Sequence, residues 1–341
     1  MKSFLFSLCC IIASIAQAQV GGNAVFQSLN INPSARQAGI GGNIVSAWDS
    51  DPSLALSNPA LLDSLMHRNL SLSYVNYFAD INLGFASYVH RIDTSWTISG
   101  SVQFVSYGKQ SQRDETGLET GEFSAGDYAF IAGASKRIDS LFSIGVNAKF
   151  LYGTIGGFSS SGAAMDIAGS YLQPKRKLGM AMVIRNLGYQ FNYFSENLRE
   201  KLPLDIQVGI TKELKYAPLR FNLTANNLQR WDLRPEEDEQ ESEVDPITGE
   251  VIETNDFVFG DLLMRHITVG AEILVSSNMQ LRFGYNYKRR QEMKLEERPG
   301  TAGFSWGFGF RIKKMQFNYG RSVYHLAGPS NHFTLSMALG S

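Results

Sequence analysis

The residue types that could carry covalent chemistry are few, and their spacing does not assemble them. Ser106 with Lys109 and Ser195 with Asn197 supply two of the three elements of a serine acyl-enzyme, S-x-x-K and S-x-N. That chemistry needs the lysine beside the nucleophile, which a three-residue spacing achieves on a helix turn but not on a strand. Ser106 falls at the end of an alternating segment, and no K-[ST]-G element exists, so the matches are coincidental. The acidic run 236–243, EEDEQESE, offers many oxygens but lacks the spaced Asp/Asn pattern and turn glycine of a calcium loop, and reads as a solvated surface segment. Its continuation 245–250, DPITGE, reads as a turn that closes a small hairpin. His67, His90, His266, His325 and His332 have no paired ligand spacing. The sequence indicates no catalytic residue, no metal site and no cofactor.

The elements that would position any site are strands. From Leu70 onward the hydrophobic period is two, clearest where Phe142, Ile144, Val146, Ala148, Phe150 and Tyr152 alternate with Ser143, Gly145, Asn147 and Lys149. Phe304, Trp306, Phe308, Phe310 and Ile312 alternate with Ser305, Gly307, Gly309 and Arg311 in the same way. About fourteen such segments follow one another, most of them roughly ten to thirteen residues long, near the length a tilted strand needs to cross a bilayer. They begin near Leu70, Ile81, Trp96, Phe123, Leu141, Ala163, Leu178, Leu204, Leu219, Ile267, Met279, Ala302, Met315 and Phe333.

Short connections at 92–94, 138–140, 174–176, 215–217, 276–278 and 313–314 alternate with long ones at 109–122, 153–162, 190–203, 231–263 and 288–300. A transmembrane antiparallel β-barrel sorts its loops by parity in this way, with tight periplasmic turns and longer external loops. Tyr74, Tyr77, Phe78, Tyr107, Tyr152, Tyr171, Tyr189, Tyr285, Tyr287 and Tyr324 lie near strand ends, where interfacial girdles belong. Asp127, Lys149, Asp166, Arg185, Asp205, Arg220, Glu272, Arg282 and Arg311 fall on the opposite phase, toward the lumen.

The N-terminus reads as a secretory leader: Lys2, an apolar run over 4–15, and Ala16-Gln17-Ala18 as a cleavage site, leaving a mature chain from Gln19. Cys9 and Cys10, the two cysteines, lie in the leader, so the mature chain has no thiol for a disulfide, a nucleophile or a metal. The full chain carries 31 basic and 32 acidic side chains. This near balance argues against a nucleic-acid partner. The expected organisation is a leader over 1–18, a plug over 19–68, and a barrel over 69–341 carrying the acidic external loop 231–263.

The segment 33–62 breaks the monotony. It is rich in small residues, and Pro33, Pro52 and Pro59 fix φ and remove donors, so long regular structure is disfavoured and composition allows either a flexible leader or a compact plug. Its SARQAGIGG, DSD and SNPALL stretches resemble the N-terminal signature of the FadL-like outer-membrane barrels, in which this region forms a hatch inside the lumen. The resemblance marks Gly39, Gly41, Gly42, Asp49, Asp51, Asn58, Pro59 and Ala60 as hatch residues. Within that superfamily, NLSLSYVNYFADINLG (69–84), GEFSAGDYAF (121–130), LPLDIQVGITKELKYAPLRFNLTANNLQRWDL (202–233), LMRHITVGAE (263–272) and GFSWGFGFRIKKMQFNYGRSVYHLAGPSNHFTLS (303–336) resemble the PorV-related PorQ family of the type IX secretion system in Bacteroidetes. That resemblance implies a non-enzymatic outer-membrane component of the cell-surface attachment complex. Its implied partners are membrane lipid, lipopolysaccharide and PorZ-, PorU- and PorV-like proteins. The competing implication is a FadL-like transporter of hydrophobic small molecules.

Overall fold

A computed structural model describes residues 24–114, 116–194, 199–234, 243–244, 251–252, 258–293, 300–325 and 328–340. Fourteen antiparallel strands close into one barrel. In chain order they are β1 Asn69–Asn76, β2 Asn82–Arg91, β3 Trp96–Arg113, β4 Glu119–Arg137, β5 Phe142–Ile155, β6 Phe158–Gln173, β7 Leu178–Asn192, β8 Asp205–Glu213, β9 Leu219–Ala225, β12 Ile267–Ile273, β13 Met279–Asn286, β14 Phe304–Ile312, β15 Met315–His325 and β16 Gly328–Ala338. Within the long acidic loop, β10 Glu243–Val244 pairs with β11 Val251–Ile252, so the expected hairpin forms; its tip at 245–250 lies outside the described residues. Three short helices complete the inventory of the described chain: α1 Ala35–Gly39, α2 Val258–Arg265 and α3 Tyr287–Glu292.

Closure comes from β1 pairing with β16, in register from Asn69 opposite Ala338 to Asn76 opposite Asn331. Hydroxyls reinforce the seam on its inner face, where Ser73 Oγ lies 2.8 Å from Thr334 Oγ1 and Ser71 Oγ lies 3.1 Å from Ser336 Oγ. Because successive strand residues point to opposite faces, one alternating sequence makes both surfaces of the wall. Along β5, Phe142, Ile144, Val146, Phe150 and Tyr152 are exposed while Asn147 and Lys149 are buried. Apolar side chains outside and polar ones inside invert the pattern of a water-soluble domain. Lipid is the solvent that permits this inversion, and no edge strand is left unpaired within it.

The sequence misplaced several boundaries. The expected loop 109–122 is mostly strand, because β3 and β4 continue as a protruding hairpin joined by Lys109–Glu122 and Arg113–Glu119 ion pairs. Likewise β6 begins at Phe158 and β16 at Gly328, about five residues before their apolar alternation becomes visible. Near the long loops the outward side chains are as polar as the inward ones, so the alternation that betrays a strand fades there while backbone pairing persists. Helices α2 and α3 stand where loop was expected. Three of the girdle tyrosines turn inward instead: Tyr107 donates to Asp127 Oδ2 at 2.7 Å, and Tyr77 packs on Tyr324, whose ring lies under the Arg289 guanidinium. Arg311 has the inward phase, but it lies at the short-turn end of β14 and is exposed.

Candidate functional site

The lumen is occupied by the segment 24–66, and its local structure follows from its prolines and caps. Pro52 and Pro59 each sit at the first position of a 3-10 turn, where a missing N–H costs nothing. Asp51 Oδ1 accepts from Ser53 N at 3.0 Å, and Asn58 Oδ1 accepts from Ala60 N at 2.8 Å, so each turn is capped by the residue before its proline. Asn58 also donates through Nδ2 to the Val45 carbonyl oxygen, tying two passes of the segment together. Buried Gln37 joins Asn32 and Ser57 in a further side-chain cluster.

Contact with the wall is backbone against backbone, and inward-facing glycines make room for it. A Cβ on Gly320 would collide with the Ala35 carbonyl, one on Gly284 with the Ile40 carbonyl carbon, and one on Gly145 with the Pro59–Ala60 peptide. Gly39 itself lies against Gly307, where an added Cβ would sit 3.2 Å from the facing Cα. Gly41 adopts φ +102°, which favours glycine, and it presses toward the Thr268 methyl. The Ala60 carbonyl oxygen accepts from Ser170 Oγ at 3.1 Å.

The half of the lumen nearer the short turns is ionic. Arg36, on α1, grips Glu272 of β12 bidentately, Nε to Oε1 and Nη2 to Oε2, both at 3.0 Å. Its third nitrogen donates to Asp49 Oδ1 at 2.6 Å and to Asp51 Oδ2 at 3.3 Å. From the wall, Arg220 reaches Asp49 Oδ2 at 2.7 Å and Glu272 Oε2 at 3.1 Å, and Arg282 reaches Glu272 Oε1 at 3.1 Å. Three guanidiniums thus meet three carboxylates across the boundary between plug and wall. With the Arg36 and Glu272 side chains 1% and 0% exposed, charge neutrality here is a condition of burial.

The half nearer the long loops is apolar. Val25, Phe26, Leu29 and Leu56 of the plug pack with Phe85, Ile131, Leu151 and Leu202. A buried charge pair lies in the wall, Lys149 Nζ to Asp166 Oδ1 at 2.8 Å, where β6 and β7 shift register. Asn186, at φ +58°, donates its backbone N–H to Asp166 Oδ1 at 2.9 Å, and its side-chain oxygen accepts from Lys149 Nζ at 2.7 Å. Arg185 donates to the Leu29 carbonyl oxygen at 3.2 Å.

Beneath the ionic cluster, at the short-turn end, a cavity of about 640 Å³ opens outward, with Arg36, Asp49, Asp51 and Arg220 as its floor and Lys177, Glu213, Lys215 and Arg311 around it. Asp49, whose side chain is 23% exposed, is the member of the cluster that this vestibule reaches.

All eight hatch residues named from the sequence, Gly39, Gly41, Gly42, Asp49, Asp51, Asn58, Pro59 and Ala60, lie in this segment. The structure brings Asp49 and Asp51 together, whereas the glycines and the 58–60 turn do separate packing work. Arg36 escaped notice, although it is the only base between 33 and 62 and its segment carries two aspartates that could not all be buried unpaired.

The other candidates are dispersed. Ser106 and Lys109 flank a bulge, and Lys109 pairs with Glu122. Ser195 and Asn197 lie outside the described residues. His67 and His90 lie with ring centroids 4.8 Å apart and planes tilted by 57°, and His266 bonds the Asn226 and Trp231 carbonyl oxygens at 2.8 and 3.0 Å. His332 lies 3.0 Å from Ser330 Oγ. Among the described residues no group of three His, Cys, Asp or Glu side chains converges as metal ligands do.

No protein-family model and no curated protein matches this chain. Solved structures do. The Ralstonia pickettii toluene transporter TbuX superposes with a TM-score of 0.55 at 11% identity, over 92% of this chain and 100% of that one. The two chains share the barrel fold. The Pseudomonas putida toluene transporter TodX gives a TM-score of 0.50 at 12% identity, covering 89% of this chain and 96% of its own. A mutant of the TodX monoaromatic hydrocarbon channel gives 0.53 at 12%, covering 90% and 97%. At such identities the likeness is one of architecture.

Proposed function

We propose that the chain, exported behind a leader spanning residues 1–18, works in the bacterial outer membrane as a FadL-like transporter of hydrophobic small molecules, with the plug segment as a hatch that closes the lumen at rest. The observation that carries this reading is the sorting of the lumen. An apolar lining under the long loops, around Phe26, Leu151 and Leu202, lies opposite an open, charged vestibule, and the hatch stands between them. Its displacement would join an apolar mouth to an aqueous exit. The toluene transporters that share the barrel support the same direction.

The test is uptake of toluene by proteoliposomes. Asn147 Nδ2 donates to the Ala55 carbonyl oxygen at 3.3 Å, so cysteines at 55 and 147 tether the hatch to β5 when oxidised. Oxidation is expected to cut uptake at least tenfold and reduction to restore it. Uptake indifferent to the tether would sink a moving hatch.

A second reading is a non-enzymatic component of the type IX attachment complex, anchoring PorZ-, PorU- and PorV-like partners that link cargo to lipopolysaccharide. One observation favours it: the plug is fastened to the wall by the fully buried Arg36–Glu272 pair, which suits a seal that never moves. Deletion would then remove cargo from the cell surface and leave tracer uptake unchanged, and the tethered variant would keep its cargo.

A further inference from the structure

The two rims of the barrel carry opposite charge. The six short connections, residues 91–96, 136–141, 173–177, 212–219, 274–279 and 311–316, hold eleven lysines and arginines and three carboxylates, Asp93, Asp139 and Glu213. The long connection 231–263 alone holds twelve carboxylates and one arginine.

The three carboxylates of the short-turn rim are already engaged. Asp93 accepts from the backbone N–H groups of Ser95 and Trp96, and Asp139 from those of Leu141 and Phe142, at 2.6 to 2.7 Å. Glu213 pairs with Lys177 and Arg220. Lys177 is the one cation of this rim that has a carboxylate partner among the described residues. The remaining cations are exposed.

Three of the six short connections also repeat one motif, an arginine followed by an exposed isoleucine: Arg91–Ile92, Arg137–Ile138 and Arg311–Ile312, the isoleucines 60%, 56% and 62% exposed. Lys215 stands over the ring of Tyr216, itself 90% exposed, and Lys136 over Trp96. In each Arg–Ile pair an exposed apolar side chain stands beside a cation with no carboxylate partner among the described residues. The pair fits the interface of a bilayer, where the side chain dips among acyl chains and the cation meets a headgroup phosphate.

We propose that this rim is a binding collar for anionic phospholipid headgroups of the leaflet facing the short turns, with the three arginine–isoleucine pairs as its contact points. The collar rests on the membrane-barrel fold and is independent of what the lumen transports.

The folded mature chain is equilibrated in mixed micelles of phosphatidylglycerol and phosphatidylcholine, and the lipids it retains are weighed by native mass spectrometry. One cation at an anionic surface contributes about a fivefold gain, so wild type is expected to retain phosphatidylglycerol over phosphatidylcholine at least tenfold. The variant R91Q/R137Q/R311Q should fall below threefold, and R91K/R137K/R311K should keep the preference, because charge and not arginine geometry is what the collar supplies. K109Q/R113Q/K288Q on the opposite rim should change nothing. Wild type without a preference, or an equal loss in the opposite-rim variant, overturns the collar. Failure of wild type to insert into vesicles of either lipid would overturn the membrane reading along with it.

Discussion

The two halves of the lumen exclude water by different physics. Near the short turns the plug is held by charges that satisfy one another, Arg36 with Glu272, Asp49 and Asp51, and Arg220 with Asp49 and Glu272. Near the long loops it is held by Phe26, Leu29 and Leu56 against Phe85 and Leu151, with hydrogen bonds from Ser28 to Asp127 and from Gln103 and Arg185 to the Ser28 and Leu29 carbonyl oxygens at its edge. The ionic half specifies a single position of the plug, since the Arg36 guanidinium is divided among Glu272, Asp49 and Asp51. In the apolar half most of the contact is area, which is conserved when one apolar surface replaces another.

The sharpest way to break the contrast is Glu272→Gln. It leaves Arg36 and Arg282 facing each other without their shared carboxylate, and removal of one member of a buried pair costs about 3–5 kcal/mol. The barrel is expected to unfold at a lower denaturant concentration, with residues 33–62 open to protease beforehand. The matched double replacement Arg36→Met with Glu272→Leu should lose much less than the two single changes combined, because it removes the buried charges together. A double loss equal to their sum would mean that the two side chains act independently.

In the apolar half, Leu151→Ala removes a fully buried side chain and should cost about 2–5 kcal/mol, the spread reflecting how far the cavity collapses. Toluene at saturation is expected to recover part of that loss in the thermal midpoint of this variant and none of it in Glu272→Gln. Recovery in both would erase the distinction between the halves. Asn58→Ala deletes the cap of the 59–61 turn, for which about 1 kcal/mol is the usual cost, and should raise protease nicking near residue 58 without exposing Arg36.

The smallest effect lies at the short-turn rim. Asp139 accepts two backbone N–H bonds, which hold its carboxyl below the usual carboxylate range. A lowered folded-state value means the group stabilises above its unfolded value of about 3.9 and loses that contribution as pH falls through its folded value. Between wild type and Asp139→Asn, the difference in denaturation midpoint should therefore be constant near neutrality and shrink below about pH 4. A difference that grows on acidification would refute the assignment.

The barrel was legible because lipid outside and polar packing inside impose a period of two over segments such as 142–152 and 304–312, and because loop parity survives any error in strand ends. Strand ends themselves were not legible at 109–113, 119–122 and 158–162, where, apart from Phe158, polar or small side chains stand on both faces and the pattern carries no signal. The segment 33–62 stood apart by composition, and its two aspartates could be named as special.

What the sequence by itself determined is therefore local and periodic: the wall, its two faces, and the irregular character of 33–62. Only the tertiary structure decided that Arg36 meets Glu272, 236 residues away, and that Gly145, Gly284 and Gly320 are the places where plug backbone lies on wall backbone. An unpaired charge in the sequence states that a partner must exist. Which one it is depends on how fourteen strands tilt and close around the plug, a global fit to which no short stretch holds the key.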